Sequence, residues 1–315
     1  MQPPTKGPAH HPATVDAPRR SLSVVAALGA TYIIWGTTYY GIRVVVEQIP
    51  PLFSSALRWL VPGIILYFVA RRGQPAPTNA MWRKSWLLGL LLCATGNGFV
   101  AVAETRVPSG IAALIVAMVP LWAAAFEWLL ERRRPGWRIE LGLVLGLCGV
   151  AILLGKPDAV PRSALPYAML PLFGSGAWAY GSLVTRRPPQ ATSPWLGLAM
   201  QMVCGGVVLI AESLAFGELR RFDITAVHAK TWLWLGYLAV FGSVIAYGAY
   251  LWLLRNTNPT MATTYAFVNP AVAVFVGAAL GGEAITSSVV GGAVVIVTAV
   301  ALIIWARQKR AATTS

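Results

Sequence analysis

The chain is a succession of apolar runs, most of them long, each interrupted by a few polar or charged positions. Within a run the apolar residues are nearly continuous. That suits buried helices and not the two-residue alternation of a membrane barrel strand. A helix of about 20 apolar residues rises about 30 Å, the depth of a bilayer's hydrocarbon core. Lipid gives the backbone nothing to bond, so each run has to satisfy its own amides and carbonyls. The pattern predicts an all-α membrane fold with ten transmembrane helices between residues 22 and 306. Residues 1–21, rich in Pro, His and small polar side chains, read as a disordered tail, and residues 307–315 as a polar tail. Arg19-Arg20 precedes an apolar run too long for a signal-peptide core and without a clear cleavage site, so that run reads as a retained first helix.

Composition excludes the main alternatives. Of 315 residues, 57% are hydrophobic and 11% charged, whereas a soluble domain carries about 25% charged residues. The net charge of +14 does not point to nucleic acid, because the basic residues sit in the breaks between runs and not along one face with interleaved aromatics. Assigned to alternate sides, 17 of the 25 Lys and Arg fall on the side of both termini and seven on the other, with Arg58 inside a run. That asymmetry places both termini in the cytoplasm. Cys93, Cys148 and Cys204 lie inside apolar runs and form neither a disulfide framework nor a zinc spacing. No metal site and no cofactor is expected.

The halves repeat. A shift of 150 residues carries Pro120 onto Pro270, Gly142 onto Gly292, Ala112 onto Ala262 and Val150 onto Val300. Trp35 and Arg43 are spaced as Trp178 and Arg186 are, and Arg58 coincides with Gln201 as the polar residue of the second helix of each half. Five helices per half make the second copy enter the membrane from the opposite side, the inverted repeat of many secondary transporters.

Several stretches carry a family resemblance. IIWGTTYYGIR (33–43), ALRWL (56–60), SGIAALIVAMVPLWAAAFEWLLERR (109–133), GLVLGLCGVAILL (142–154) and AYGAYLWLLRNTNPTMATTYAFVNPAVAVFVGAALGGEAIT (246–286) resemble the EamA-type transporters of the drug/metabolite transporter superfamily. The likeness covers nearly the whole chain after residue 22. It implies two inverted five-helix EamA repeats, at 22–155 and 163–306, and export of metabolites or drugs. One departure is local: Pro270 precedes Glu283 by 13 residues but Pro120 precedes Glu131 by 11, and Arg133 stands where Glu283 would fall.

Candidate binding residues follow from polarity and register. Pro120 and Pro270, inside the fourth and ninth helices, each remove a backbone donor, and matched interruptions mark transporter sites; a packing kink is the plain alternative. Ser243, Tyr247 and Tyr250 share a face of the eighth helix, Asn97 matches Tyr247 in the repeat, and Tyr265 and Asn269 are neighbours on the ninth. Trp35, Thr38 and Tyr39 share a face of the first helix, as Trp178 and Ser182 do on the sixth. These residues either line a substrate pocket or bond and pack between helices. Arg58 costs about 2.5–3.5 kcal/mol at mid-span on insertion scales; it is an anion contact, a gate or an anchor. Glu127, Glu212 and Glu283 lie near helix ends, so proton coupling is not indicated, and His10, His11 and His228 form no relay. Gly142/Gly146 and Gly277/Gly281 suit close packing within the chain, and a homo-oligomer stays open.

No nucleophile–base pair and no G-x-x-x-x-G-K-[ST] motif occurs, so neither an enzyme nor an ATP-driven pump is expected. The expected function is a secondary transporter in the bacterial inner membrane that exports small metabolites, amino acids or drug-like compounds by alternating access. The alternative is a non-transporting scaffold or sensor. The expected partners are the bilayer and a small-molecule substrate.

Overall fold

The computed structural model describes residues 17–131, 136–155, 160–257 and 262–313. No strand occurs among them. α1 runs Ala17–Gly29, through a π-helical stretch Ala30–Ile34, into Trp35–Val46. α2 is Pro51–Ala70. α3 joins Asn79–Leu88, a π-helical Gly89–Gly98 and Phe99–Ala103. α4 is split into Ser109–Val116 and Val119–Glu131. α5 is Trp137–Gly155, α6 Leu165–Thr185 and α7 Pro194–Ala215. α8 joins Ala229–Tyr237, a π-helical Leu238–Ala246 and Tyr247–Asn256. α9 is Tyr265–Gly281 and α10 Ser287–Thr313. Among the described residues six stretches are long and apolar enough to cross a membrane: Leu22–Val46, Pro51–Ala70, Asn79–Ala103, Ser109–Leu130, Pro194–Ala215 and Ala229–Asn256. Exposed Ile64, Ile65, Phe68, Val144, Leu147, Phe275, Val290 and Val294 give the bundle an apolar outer surface.

The described helix reaches past the apolar pattern at both termini. Residues 17–21, read from the sequence as the end of a disordered tail, belong to α1, and residues 307–313 extend α10. A helix already formed adds one backbone hydrogen bond per residue and needs no apolar side chain to grow. Ala, Arg, Gln and Lys at 306–312 are strong helix formers. Residues 1–16 of the expected tail lie outside the described residues, as does Arg133.

Residue pairs fix the helix directions. A Cβ added to Gly63 would meet Met202, and one added to Gly206 would meet Leu60. Numbers therefore rise on α2 as they fall on α7. Gly142 faces Ile303 and Gly149 faces Ile296, so α5 and α10 are antiparallel too. α3 and α6 pair Leu92 with Gly181 and Gly96 with Trp178, again antiparallel. α1 runs parallel to α9, through Gly36 against Val272 and the Tyr40 hydroxyl donating to Leu280 O at 3.0 Å. The start of α1 and the finish of α10 thus share one end of the bundle, called here the terminal end. Gly146 packs on Leu121, Gly277 on Glu283 and Ser109, and Gly281 on Tyr40, so these glycines are used within the chain.

The prolines act unequally. α4 breaks at residues 117–118, just ahead of Pro120, with Met118 O accepting from both Leu121 N and Trp122 N. Pro270 sits inside the continuous α9, and the turn before that helix is at 263–264.

Candidate functional site

A small cavity of about 50 Å³ lies where the halves meet. α1 gives it Trp35, Thr38, Tyr39 and Ile42; α3 gives Gly96, Asn97 and Val100; α4 gives Val116; α6 gives Gly174, Ser175 and Trp178; α9 gives Tyr265 and Asn269. None of these is charged. Trp35 and Trp178, equivalent by repeat, meet edge to face with centroids 5.4 Å apart. Tyr265 stands 5.1 Å from Trp35, and Tyr250 closes the ring cluster 5.2 Å from Trp35 and 5.5 Å from Trp178.

Local backbone irregularity builds this wall. A π-helical turn widens the helix and redirects carbonyls, and such turns gather at functional sites. In α3 the Asn97 amide donates to Leu92 O at 3.0 Å, and in α8 the Ser243 hydroxyl donates to Leu238 O at 3.1 Å, each reaching back five residues. Asn269, with its amide nitrogen assigned by its surroundings, donates to Thr31 O, Tyr32 O and Tyr265 O at 3.1–3.2 Å, two of them carbonyls of the α1 π-helical stretch. Thr38 donates to Trp35 O and Ser175 to Leu172 O, both at 2.7 Å. With these donors committed inward, the amide oxygens and hydroxyl lone pairs remain as acceptors. Trp178 Nε1 makes no well-aligned hydrogen bond among the described residues; the Tyr250 and Tyr265 hydroxyls are its polar neighbours.

Seven of the residues singled out in the sequence line the cavity: Trp35, Thr38, Tyr39, Asn97, Trp178, Tyr265 and Asn269. The others stand behind it. Ser182 and Tyr250 bond each other at 2.8 Å, and Tyr247 donates to Gln201 at 2.6 Å. Ser243 accepts from Arg58 Nε at 2.9 Å. Arg58, buried, lies over the Trp59 ring at 5.1 Å and does not line the cavity. Pro120 and Pro270 do not line it either. Ile42, Gly96, Val100, Val116 and Gly174 carried no polar signal that would have singled them out, and the Ser175 hydroxyl, three residues before Trp178, was a polar signal that the sequence reading missed.

A second, larger cavity of about 490 Å³ lies at the end opposite the termini, lined by Tyr40, Arg43, Val44, Glu47, Gln48, Arg106, Pro108, His228, Lys230, Thr231, Leu280, Gly281 and Glu283. One turn of α1 serves both cavities, Tyr39 and Ile42 lining the central one and Tyr40 and Arg43 the vestibule. Tyr40 forms the floor, 5.4 Å from Trp234 and bonded to Leu280 O. Gln48 straps α1 to α8 by accepting from His228 N at 3.0 Å and Thr231 Oγ1 at 2.6 Å. Glu283 caps α4, accepting from Ser109 N at 2.8 Å and Gly110 N at 3.1 Å. Glu218 caps α2 in the same way through Leu52 N and Phe53 N. Among the described residues no group of His, Cys, Asp and Glu is arranged to hold a metal ion.

The chain matches the EamA-like transporter family twice, over residues 22–155 and 165–305. It is 43% identical over 274 residues to the uncharacterized inner membrane transporter YedA of Escherichia coli (strain K12), covering 85% of this chain and 86% of that protein. It is 25% identical over 285 residues to Protein PecM of Dickeya dadantii, covering 88% and 92%. A crystal structure of a protein 17% identical in sequence superposes with a TM-score of 0.63 over 91% of this chain and 98% of the other, a likeness of fold. This multi-pass, all-helical membrane protein, with its cavity between two matched halves, belongs to the EamA-like transporter family, a family of transporters and not of enzymes.

Proposed function

We propose that the protein exports a small amphipathic solute bearing N–H donors, an amino acid or similar amine, across the inner membrane by alternating access. Ten helices cross the bilayer as two five-helix repeats, 22–155 and 163–306, inserted in opposite senses. The terminal end faces the cytoplasm and the vestibule faces outward, as the 17:7 distribution of Lys and Arg favours. The antiparallel pairings of α2 with α7 and α5 with α10 support opposite insertion, since these are the second and fifth helices of each half.

The observation that carries the reading is the central cavity. Aromatic faces attract cationic groups. Asn97, Asn269, Thr38 and Ser175 present acceptors, and the lining has no cation to hold a lone anionic group. Trp35, Trp178 and Tyr265 take the apolar part of the solute, while Tyr39 stands towards the vestibule. Tyr250 with Ser182, Tyr247 with Gln201, and Arg58 with Ser243 position those walls. Pro120 and Pro270 provide the compliance by which α4 and α9 let the halves rock.

At about 50 Å³ the cavity has room for a few waters and not for a metabolite. In this reading it is the contracted, occluded arrangement. The same size favours the second reading, a scaffold whose core never opens. Flux of an amine and amino-acid panel into liposomes holding the purified protein separates the two. Transport reduced about tenfold or more by Trp178→Ala and Asn97→Ala is the expected result. A folded protein that moves no compound of the panel defeats it.

A further inference from the structure

Glu104, at the end of α3 and one residue past the apolar stretch Asn79–Ala103, has no solvent exposure. Neither carboxylate oxygen finds a well-formed hydrogen bond among the described residues. The nearby guanidinium is engaged elsewhere: Arg43 Nη1 donates to the backbone carbonyl of Glu104 at 2.5 Å, and its Nε pairs with Glu47 at 3.3 Å. Glu104 lies between the two cavities. Arg43 and Glu283 approach it from the vestibule, and Tyr39, which lines the central cavity, feels its charge.

We propose that Glu104 is a proton-binding site in the wall between the cavities, holding a proton while the Tyr40 floor is closed and releasing it to vestibule water when the floor opens. A carboxylate without partners is too costly to bury charged, and it takes up a proton instead. The charged and titratable groups facing it are Glu283 beyond α9, Arg43 and the neutral Tyr39 phenol of α1, and Arg58 of α2. Burial first, and then the Glu283 carboxylate, raise its proton affinity well above the ordinary carboxylate range, against the pull of Arg43 and Arg58 and of the Arg43 backbone. On opening, the carboxyl O–H bond breaks, the proton passes to water, and the carboxylate left behind is hydrated beside Arg43. Only the closed floor holds the raised affinity. The closed arrangement is therefore fully favoured below the ordinary carboxylate range and loses ground as pH rises through the raised one. Coupling to the solute follows from the transport reading above; the proton site itself does not depend on it.

Two measurements on the full chain in lipid nanodiscs separate these claims. Infrared difference spectra across a pH titration should contain a protonated-carboxyl band that Glu104→Gln removes. In Glu283→Gln the band should remain with its midpoint at lower pH, because a like charge has gone. Spin labels at Arg106→Cys and Lys230→Cys, with Cys148→Ser, report the width of the vestibule. Between about pH 5 and about pH 9 the shorter-distance population should fall several-fold in the otherwise native chain and stay constant with Glu104→Gln. A wild-type spectrum without the band, or a band that survives Glu104→Gln, overturns the site. A band that titrates while the distance stays fixed, or a distance that follows sodium at constant pH, overturns its coupling to the floor. Should Glu104→Gln fail to fold, the native chain's pH course and Glu283→Gln still decide.

Discussion

The two ends of the bundle are closed by different means. Near the terminal end, backbone meets backbone: a Cβ added to Gly89 of α3 would lie 2.5 Å from Gly205 N and 2.7 Å from Gln201 O of α7. The remaining gap there is only about 20 Å³, with Lys84 and Arg255 and no carboxylate among its lining residues. At the vestibule end, polar side chains reach across about 490 Å³, and the N-termini of α2 and α4 are held by Glu218 and Glu283 from the other half. Close backbone packing tolerates no expansion, since interiors near crystal density transmit any added atom as strain. A closure made of hydrogen bonds and a tyrosine floor exchanges its partners for water at small net cost. In the transport reading proposed above, the vestibule end is the one that gives way first.

The largest effect belongs to Gly89→Val. Its branched side chain meets the Gly205 and Gln201 backbone and the Cys204 Cβ, so the α3–α7 contact should separate at a cost of about 1–3 kcal/mol or more. Thermal unfolding in detergent, followed by size exclusion, should show a clearly lowered midpoint. An unchanged midpoint removes the contrast between the ends. Next comes Glu283→Ala, which strips two charge-assisted bonds from the start of α4. A loss of about 1.5–3 kcal/mol is expected, together with faster hydrogen exchange at Ser109 and Gly110. Lys84→Met, at the opposite end, removes the donors to the Thr185 and Arg187 carbonyls at the finish of α6 and should lower the midpoint by less than Glu283→Ala does. Tyr247→Phe loses the bond to Gln201 and leaves that amide oxygen without its donor, so about 0.5–1.5 kcal/mol of stability should go, while solute affinity, read by tryptophan quenching, stays unchanged. A fall in affinity as large as that of Asn97→Ala would place Tyr247 in the site after all. The smallest change is Arg106→Gln with Lys230→Gln. These exposed charges contribute within about 0.5 kcal/mol to stability, but iodide should quench Trp234, which packs on Tyr40 beside the vestibule, less at low salt, and the difference should vanish at high salt.

Register proved a good guide to which helices converge and a poor one to which atoms face inward. Trp35 and Trp178, matched by spacing alone, do meet across the cavity. Asn97 and Tyr247, matched by the 150-residue shift, do not share it: Asn97 lines the wall and Tyr247 turns to Gln201. The π-helical stretches of α1, α3 and α8 rotate the faces that an ideal 3.6-residue helix would present, and no local residue pattern announces them. Glu104 was overlooked for a related reason. In the sequence it is an acidic residue at the end of an apolar run, near Arg106, with nothing local to mark it as buried. Its burial is created by α1 and the segment after α9, more than 60 residues away on either side.

By itself the sequence determined the class and the plan: helices, because lipid leaves the backbone no other partner; several membrane crossings, from the recurrence of long apolar runs; two halves, because landmarks recur at shifts of 143 and 150 residues; and a family, through motifs spread over both halves. The tertiary structure alone decided which aromatics enclose the cavity, how small that cavity is in this arrangement, which end is closely packed and which holds the larger cavity, and that the Glu104 carboxyl lies buried without a well-formed hydrogen bond among the described residues. Helix formation is governed by neighbours within a turn or two and can be read along the chain. Burial, hydrogen bonding and the state of a proton depend on contacts between segments more than 200 residues apart, such as Trp35 with Gly242 and Tyr40 with Leu280, and those exist only once the helices have packed.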